Sequence, residues 1–241
     1  MNWYPGPDGQ PRIWYEPDEI ETIAEDELKR AGVLPTLKDP VTDLEPLIEM
    51  HLKAKLDQYA ELSADVLGVT NFQTRQRINI SINRTLTEAA EQSPPRPGAV
   101  GRWRATLAHE ASHVILHRYL FDPILAGTSV SGINVMKPEY DRLMRCLKGN
   151  VVPENSENWN RTRSTTDWRE VQANMSMAAL LMPRRLFIRI AHLKIDELKL
   201  TGLTKGSPSS SALCSALSET FRVSKQATSI RLESLAIVSV R

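Results

Sequence analysis

The sequence predicts an α+β fold. Apolar residues recur at helical spacing in three separate stretches, near residues 17–32, 100–120 and 166–182. Between the first two the period drops to two, with Ile78, Ile80 and Ile82 alternating with Asn79, Ser81 and Asn83. Proline- and glycine-rich breaks separate the two kinds of pattern.

Taken in order, residues 1–16 are rich in proline, glycine and aromatics and read as an irregular arm. Pro17 and Asp18 open a helix in which Ile20, Ile23, Ala24, Leu28 and Ala31 form one apolar face, ended by Gly32. Thr42 or Asp43 caps a second helix carrying Leu44, Leu47 and Ile48. Residues 54–57 form a short strand. Residues 66–72 and 76–83 form a hairpin, whose second arm reads as an edge strand on which an extended peptide would add. After the SPPRPG break at 93–98, a helix runs from about Val100 to Leu120. Residues 148–166 read as a polar, mobile loop. A further helix spans about 166–182 and stops at Pro183. The TKGSPSSS run at 204–211 reads as a flexible linker to a helical tail.

Bulk composition narrows the function. With 41% hydrophobic and 24% charged residues, the 241-residue chain matches soluble globular proteins and is long enough for a sizeable core. A net charge of +1 gives no general attraction to polyanions. Cys146 and Cys214 are far apart, which excludes a disulfide framework and a cysteine-only metal site. The start MNWYPGPDGQPR lacks the apolar stretch of a signal peptide, and no apolar run reaches membrane-span length. A soluble, cytoplasmic protein is expected.

The chemistry-bearing motif is HEASH at 109–113, an HExxH. On a helix, residues four apart share a face, so His109 and His113 converge on one zinc ion, and Glu110 beside them takes a proton from its water. Leu107, Ala111, Val114 and Ile115 make the opposite, apolar stripe, and Leu116 and Leu120 near the histidines imply burial around much of the helix. Zinc needs a third protein ligand. His117 continues the histidine row, but it sits about 12 Å from His109 along the axis, too far for one ion. Its role is either a hydrogen bond behind the site or a purely structural one. Glu170, 57 positions after His113 (170 − 113), is the better candidate. It shares a helical face with Asn174, which is placed to orient a ligand. Small residues at Ala173, Ser176, Ala178 and Ala179 permit close helix packing. Taken alone, however, a helical glutamate is as a rule a solvated surface group.

HEASHVILH followed by EVQANMSMAALLMP resembles the ImmA/IrrE family of metallopeptidases. That family carries HExxH, a histidine four residues on, and a downstream glutamate in E-x-x-A-N ending in L-L-M-P. His109, Glu110, His113, His117, Glu170, Ala173, Asn174, Leu180, Leu181, Met182 and Pro183 match it. The stretches EPDEIETIAEDELKRAG and PVTDLEPLIE look like the family's opening, so the resemblance covers Pro17 to Leu186. Ser112 departs from a common glycine, and Ser176 and Met177 from a common aromatic; none of the three is a candidate ligand.

The resemblance implies a zincin-like metallopeptidase domain at 17–203, with a small sheet, several helices, and the two motif helices crossing over zinc. It implies Glu170 as third ligand, with Asn174 and His117 supporting the ligands. It further implies a zinc-dependent endopeptidase of narrow specificity acting on a regulatory, repressor-like protein. Zinc would polarise the scissile carbonyl and activate a water, with Glu110 as base. His117, Tyr119 and Tyr140 are candidates for stabilising the oxyanion.

Residues 209–241 read as helix, tight turn near 222–224, and helix, resembling the helix-turn-helix region found after the peptidase region. Lys225, Gln226, Thr228, Ser229 and Arg231 would then be available to DNA. Against this, the segment carries four cations and two anions, little for phosphate attraction, and a plain packing appendage fits as well. The alternative to the enzyme is a non-catalytic transcriptional regulator or binding module with a vestigial or structural metal site.

Overall fold

The computed structural model describes residues 2–5, 11–73, 77–96, 98–121, 143–147 and 167–239. Among them are eight helices, a four-stranded sheet and a two-stranded one. The polar stretch at 148–166 and Tyr140 lie outside the described residues.

The N-terminal arm is a strand pair, β1 (Asn2–Pro5) and β2 (Pro11–Trp14), where an irregular segment was expected. Its last residues enter the core: Ile13 and Tyr15 are buried, and the Tyr15 hydroxyl donates to the Leu116 carbonyl. Helix α1 (Pro17–Arg30) starts with proline in its first turn, where the missing N–H costs nothing. Helix α2 (Leu44–Pro46) runs on into a π-helical turn, Leu47–His51, that buries Leu47 and Ile48.

The main sheet comprises β3 (Lys55–Ala60), β4 (Val66–Phe72), β5 (Ile78–Asn83) and β6 (Leu143–Leu147), in the order β3-β5-β4-β6. β4 and β5 form the expected antiparallel hairpin, with Ile80 and Ile82 buried. The edge-strand expectation fails: β5 pairs with β4 on one side and, in parallel, with β3 on the other. Its backbone groups are therefore occupied, and no peptide can add there. The alternation reported a strand with two unlike faces, which an inner strand has as readily as an edge strand.

Helix α3 (Arg84–Glu91) follows, with the Asn83 side chain accepting from Thr85 N–H as its cap. Helix α4 (Ala99–Phe121) lies across the sheet and is buried continuously from Arg104 to His117. Such a helix shows no one-sided amphipathicity because it is covered all round. Helix α5 (Asp167–Leu181) packs along it, and α6 (Arg184–Glu197) follows Pro183.

The segment at 204–211 is not a flexible linker. Thr204 bridges Ser239 in parallel, Ser207 caps α7 (Pro208–Phe221), and α8 (Lys225–Ser234) is capped by Ser224. Leu213, Leu217, Phe221, Val223, Leu232 and Val238 belong to the same buried cluster as the α4 side chains. Phe221 packs on Phe187 of α6, with ring centroids 5.3 Å apart. Gly101 on α4 lets the α7–α8 turn approach, since a Cβ there would stand 3.1 Å from Ser224 N.

Candidate metal centre

The site forms where α4 and α5 lie against each other. The i, i+4 spacing puts His109 and His113 on one face of α4, and Glu170 enters from the first turn of α5. His109 Nε2 and His113 Nε2 stand 3.0 Å apart. Glu170 Oε2 is 3.1 Å from the first, and Oε1 is 3.3 Å from the second. Both histidines are fully buried.

This donor set fits zinc. In a tetrahedral site with bonds of about 2.0–2.2 Å, ligand atoms are separated by roughly 3.3–3.5 Å, close to the spacings here. The hydrogen bonds behind the ligands point the same way. His109 Nδ1 lies 3.0 Å from Asn174 Oδ1, so Nδ1 carries the proton and Nε2 is left bare. His113 Nδ1 lies 3.0 Å from His117 Nδ1. Bare imidazole nitrogens facing a carboxylate are repelled by it unless a proton or a cation sits among them.

The titration of the group shows the same demand. Burial would raise the Glu170 carboxyl, yet hydrogen bonds from His109 and His113 hold it well below the usual carboxylate range. Burial pulls His109 down, but the hydrogen bond and charge of Glu170 outweigh it, and the imidazole titrates above its ordinary value. His113 is lowered, by burial first, although it touches the same carboxylate. Two imidazoles 3.0 Å apart cannot both hold a proton, and the one nearer Glu170 takes it. Without a metal, one proton does part of the work that a divalent cation would do fully.

Glu110 points at the sheet. Thr70 on β4 donates its hydroxyl to Glu110 Oε2 at 2.5 Å, while Oε1 is buried with no hydrogen-bond partner. Desolvation pushes its pKa up to about 8, against the charge of His109 and the Thr70 bond. Gly68 makes room: a Cβ there would stand 2.7 Å from Glu110 Oε1 and 2.8 Å from Thr106 Cγ2. Sequence reasoning passed over Gly68 and Thr70. A glycine inside a strand pattern signals close backbone approach, and that was the available clue; Thr70 gave none.

The model of the IrrE N-terminal-like domain, peptidase M78, matches residues 154–233. That match supports the ImmA/IrrE resemblance over the region it covers. The matched third of the chain contains Glu170 and Asn174, and it runs through α7 into α8. HEASH lies outside it, so the histidines join the matched region through geometry. No curated protein matches the chain. The peptidase M78 match supports a metallopeptidase-like function, a metal and a protein substrate, and His109, His113 and Glu170 form a cluster that could hold the metal.

The remaining candidates separate. His117 and Asn174 sit behind the two histidines. Tyr119 is at the far end of α4, half-buried, its hydroxyl accepting from Arg118. On α8, Lys225 and Gln226 are exposed and Ser229 is half-buried. Thr228 and Arg231, expected to be available to DNA, are buried. The Arg231 guanidinium donates to the Met182 carbonyl and to both carboxylate oxygens of Glu21. Glu21 on α1 is the partner that sequence spacing could not reveal. No helix among the described residues is long and apolar enough to cross a membrane.

Proposed function

We propose that this chain is a zinc-dependent endopeptidase of narrow specificity whose substrate is a regulatory, repressor-like protein. The observation that carries the reading is the convergence of one carboxylate and two imidazole nitrogens at the α4–α5 contact. His109, His113 and Glu170 hold the zinc, which when bound supplies Lewis-acid polarisation of a carbonyl and a lowered water pKa. Asn174 and His117 orient the two imidazoles.

Glu110 is the general base. Its carboxylate takes the proton of the attacking water and returns it to the leaving amine. Thr70 fixes Oε2 by its hydroxyl, and Oε1 is the proposed proton acceptor. The burial that raises the Glu110 carboxyl helps it hold the proton between the two halves of that exchange.

Residues 17–203 carry this chemistry. Residues 209–241 form a helix-turn-helix-like segment that serves packing and docking of the protein partner. Its DNA-contact set shrinks from Lys225, Gln226, Ser229 and Arg231 to the first three, because Arg231 is engaged with α1 and α5. The cytoplasm is the proposed location, in keeping with two free cysteines.

The deciding experiment incubates purified protein with the repressor-like protein encoded beside its gene, with and without chelator. Cleavage that stops with chelator and with Glu110→Gln is the expected result. Stoichiometric zinc without cleavage of any such candidate would favour the regulator with a structural metal.

A further inference from the structure

We propose that Gln172 is a positioning residue for the metal ligand His113. It acts through His117, with the backbone carbonyl of Ile13 as the fixed end of the relay. The inference rests on the zinc-site reading above.

The relay has four members. His113 Nδ1 is 3.0 Å from His117 Nδ1, and His117 Nε2 is 3.2 Å from Gln172 Oε1. Gln172 Nε2 donates to the Ile13 carbonyl at 3.1 Å. Both histidines and Ile13 are fully buried, and Gln172 is 2% exposed, so water does not substitute for any link.

With His117 neutral, as its full burial requires, only one polarity satisfies every link. A backbone carbonyl accepts and cannot donate, so it draws the amide nitrogen of Gln172 and turns Oε1 toward His117. That oxygen also only accepts, so His117 must carry its proton on Nε2. Neutral His117 then offers a bare Nδ1, which accepts from His113 Nδ1–H. The outcome is a bare His113 Nε2, facing Glu170 and His109. Flipping the Gln172 amide would set oxygen against oxygen at Ile13. The tautomer of a metal ligand on α4 is thus fixed by a main-chain group on β2, a strand of the N-terminal pair. His109 needs only one step, to Asn174. Gln172 is polar and almost wholly buried on α5, and the proposed peptidase chemistry gives it no direct task.

The test is metal affinity, measured by competition with a chelator, together with the visible absorption of the cobalt(II)-substituted protein. Gln172→Met keeps a similar volume and removes both the donor and the strong acceptor. It is expected to weaken zinc binding about 10-fold or more and to alter the cobalt spectrum, with the metal-free melting temperature as a folding control. His117→Phe cuts the relay at its middle, keeps the result readable if Gln172→Met does not fold, and should give the same loss. Unchanged affinity and spectrum in Gln172→Met or His117→Phe would overturn the relay. If the wild type itself binds no zinc, the metal reading falls and takes the relay with it. If the wild type binds zinc and the variants do too, the relay alone is refuted.

Discussion

Helices α4 and α8 both carry side chains that their sequences offer for function, and the protein uses them in opposite ways. On α4, His109, Glu110, His113 and His117 are fully buried and turned toward chemistry between elements. On α8, the buried cation Arg231 is turned toward structure, tying α8 to α1 and to the end of α5. A buried polar group must find partners. On α4 the partners are other polar side chains with ligand atoms left over; on α8 they are a carbonyl and a carboxylate that use up the guanidinium. What distinguishes a site from a fastening is therefore the unspent donor capacity, and burial alone does not tell the two apart.

The sharpest break of this comparison is at the α4 ligands. Glu170→Ala or His113→Ala removes one of three ligands and should take zinc from about one per chain to a small fraction, read by metal analysis after dialysis. Full occupancy in Glu170→Ala would remove Glu170 from the ligand set. Glu110→Gln should keep its zinc and lose about 10²–10⁴-fold in cleavage rate.

On the other side, Arg231→Ala strands the Glu21 carboxylate and the Met182 carbonyl. Arg231 is buried but the Glu21 side chain is 19% exposed, so losing these charged hydrogen bonds should cost about 1–3 kcal/mol. Denaturant unfolding should show that loss, and ending the chain near Gly206 should be worse, because Leu213, Leu217 and Phe221 leave the shared core. A shortened chain that folds and holds zinc normally would show α7 and α8 to be an independent appendage.

Between these lies Gly68→Ala. The added methyl meets Glu110 Oε1 and Thr106 Cγ2 on a rigid strand. Overpacking of this kind costs about 1–3 kcal/mol, and here it displaces the base, so cleavage should fall by roughly 10-fold or more with zinc content unchanged. Lost zinc with intact chemistry would mean that Gly68 serves helix packing and not Glu110.

The proton inventory sharpens the α4 side further. Glu110 is raised to about 8 by burial, so in the metal-free protein it stays protonated where the unfolded chain has ionised. The Glu110 contribution to metal-free stability falls as pH rises between about 4.5 and 8, while His113 and His117, lowered by burial, oppose it below the ordinary histidine value of 6.5, so net stability should fall with pH between about 6.5 and 8. His109, raised by Glu170, must give up its proton to bind a cation. Apparent zinc affinity should therefore increase with pH through neutrality. Flat affinity from pH 6 to 8 would contradict the protonation of His109.

Much of this site was legible before folding. HEASH fixes its own geometry, since four residues of helix set the relation between His109 and His113. Helices α1, α4 and α5 and the β4–β5 hairpin were legible for the same reason, as periodicity is local. What escaped depends on distant partners. β6 is five residues whose pairing with β4 completes the sheet, and nothing within LMRCL marks it as a strand beside an active-site helix. Gln172 looked like any polar residue of α5 until Ile13, 159 positions away, came beside it. Arg231 read as a surface cation because Glu21, 210 positions away, was not yet its neighbour.

The smallest expected effect lies at the exposed start of α8. Lys225 is exposed in the first turn, where the helix dipole disfavours a cation by about 0.3–1 kcal/mol. Lys225→Glu should accordingly leave the melting temperature unchanged or raise it slightly. Pairing Lys225 with Arg231 in a double variant would confuse a surface effect with the rupture of the Glu21 ion pair, so Lys225 and Gln226 form the cleaner pair. If α8 touches no DNA, charge reversal there changes no DNA affinity, at any salt concentration. If α8 does enter a groove, affinity should drop and the salt dependence should shallow by about one counterion for each phosphate that is no longer neutralised. That second result would make α8 a functional surface like α4, although its buried arginine would still be a fastening.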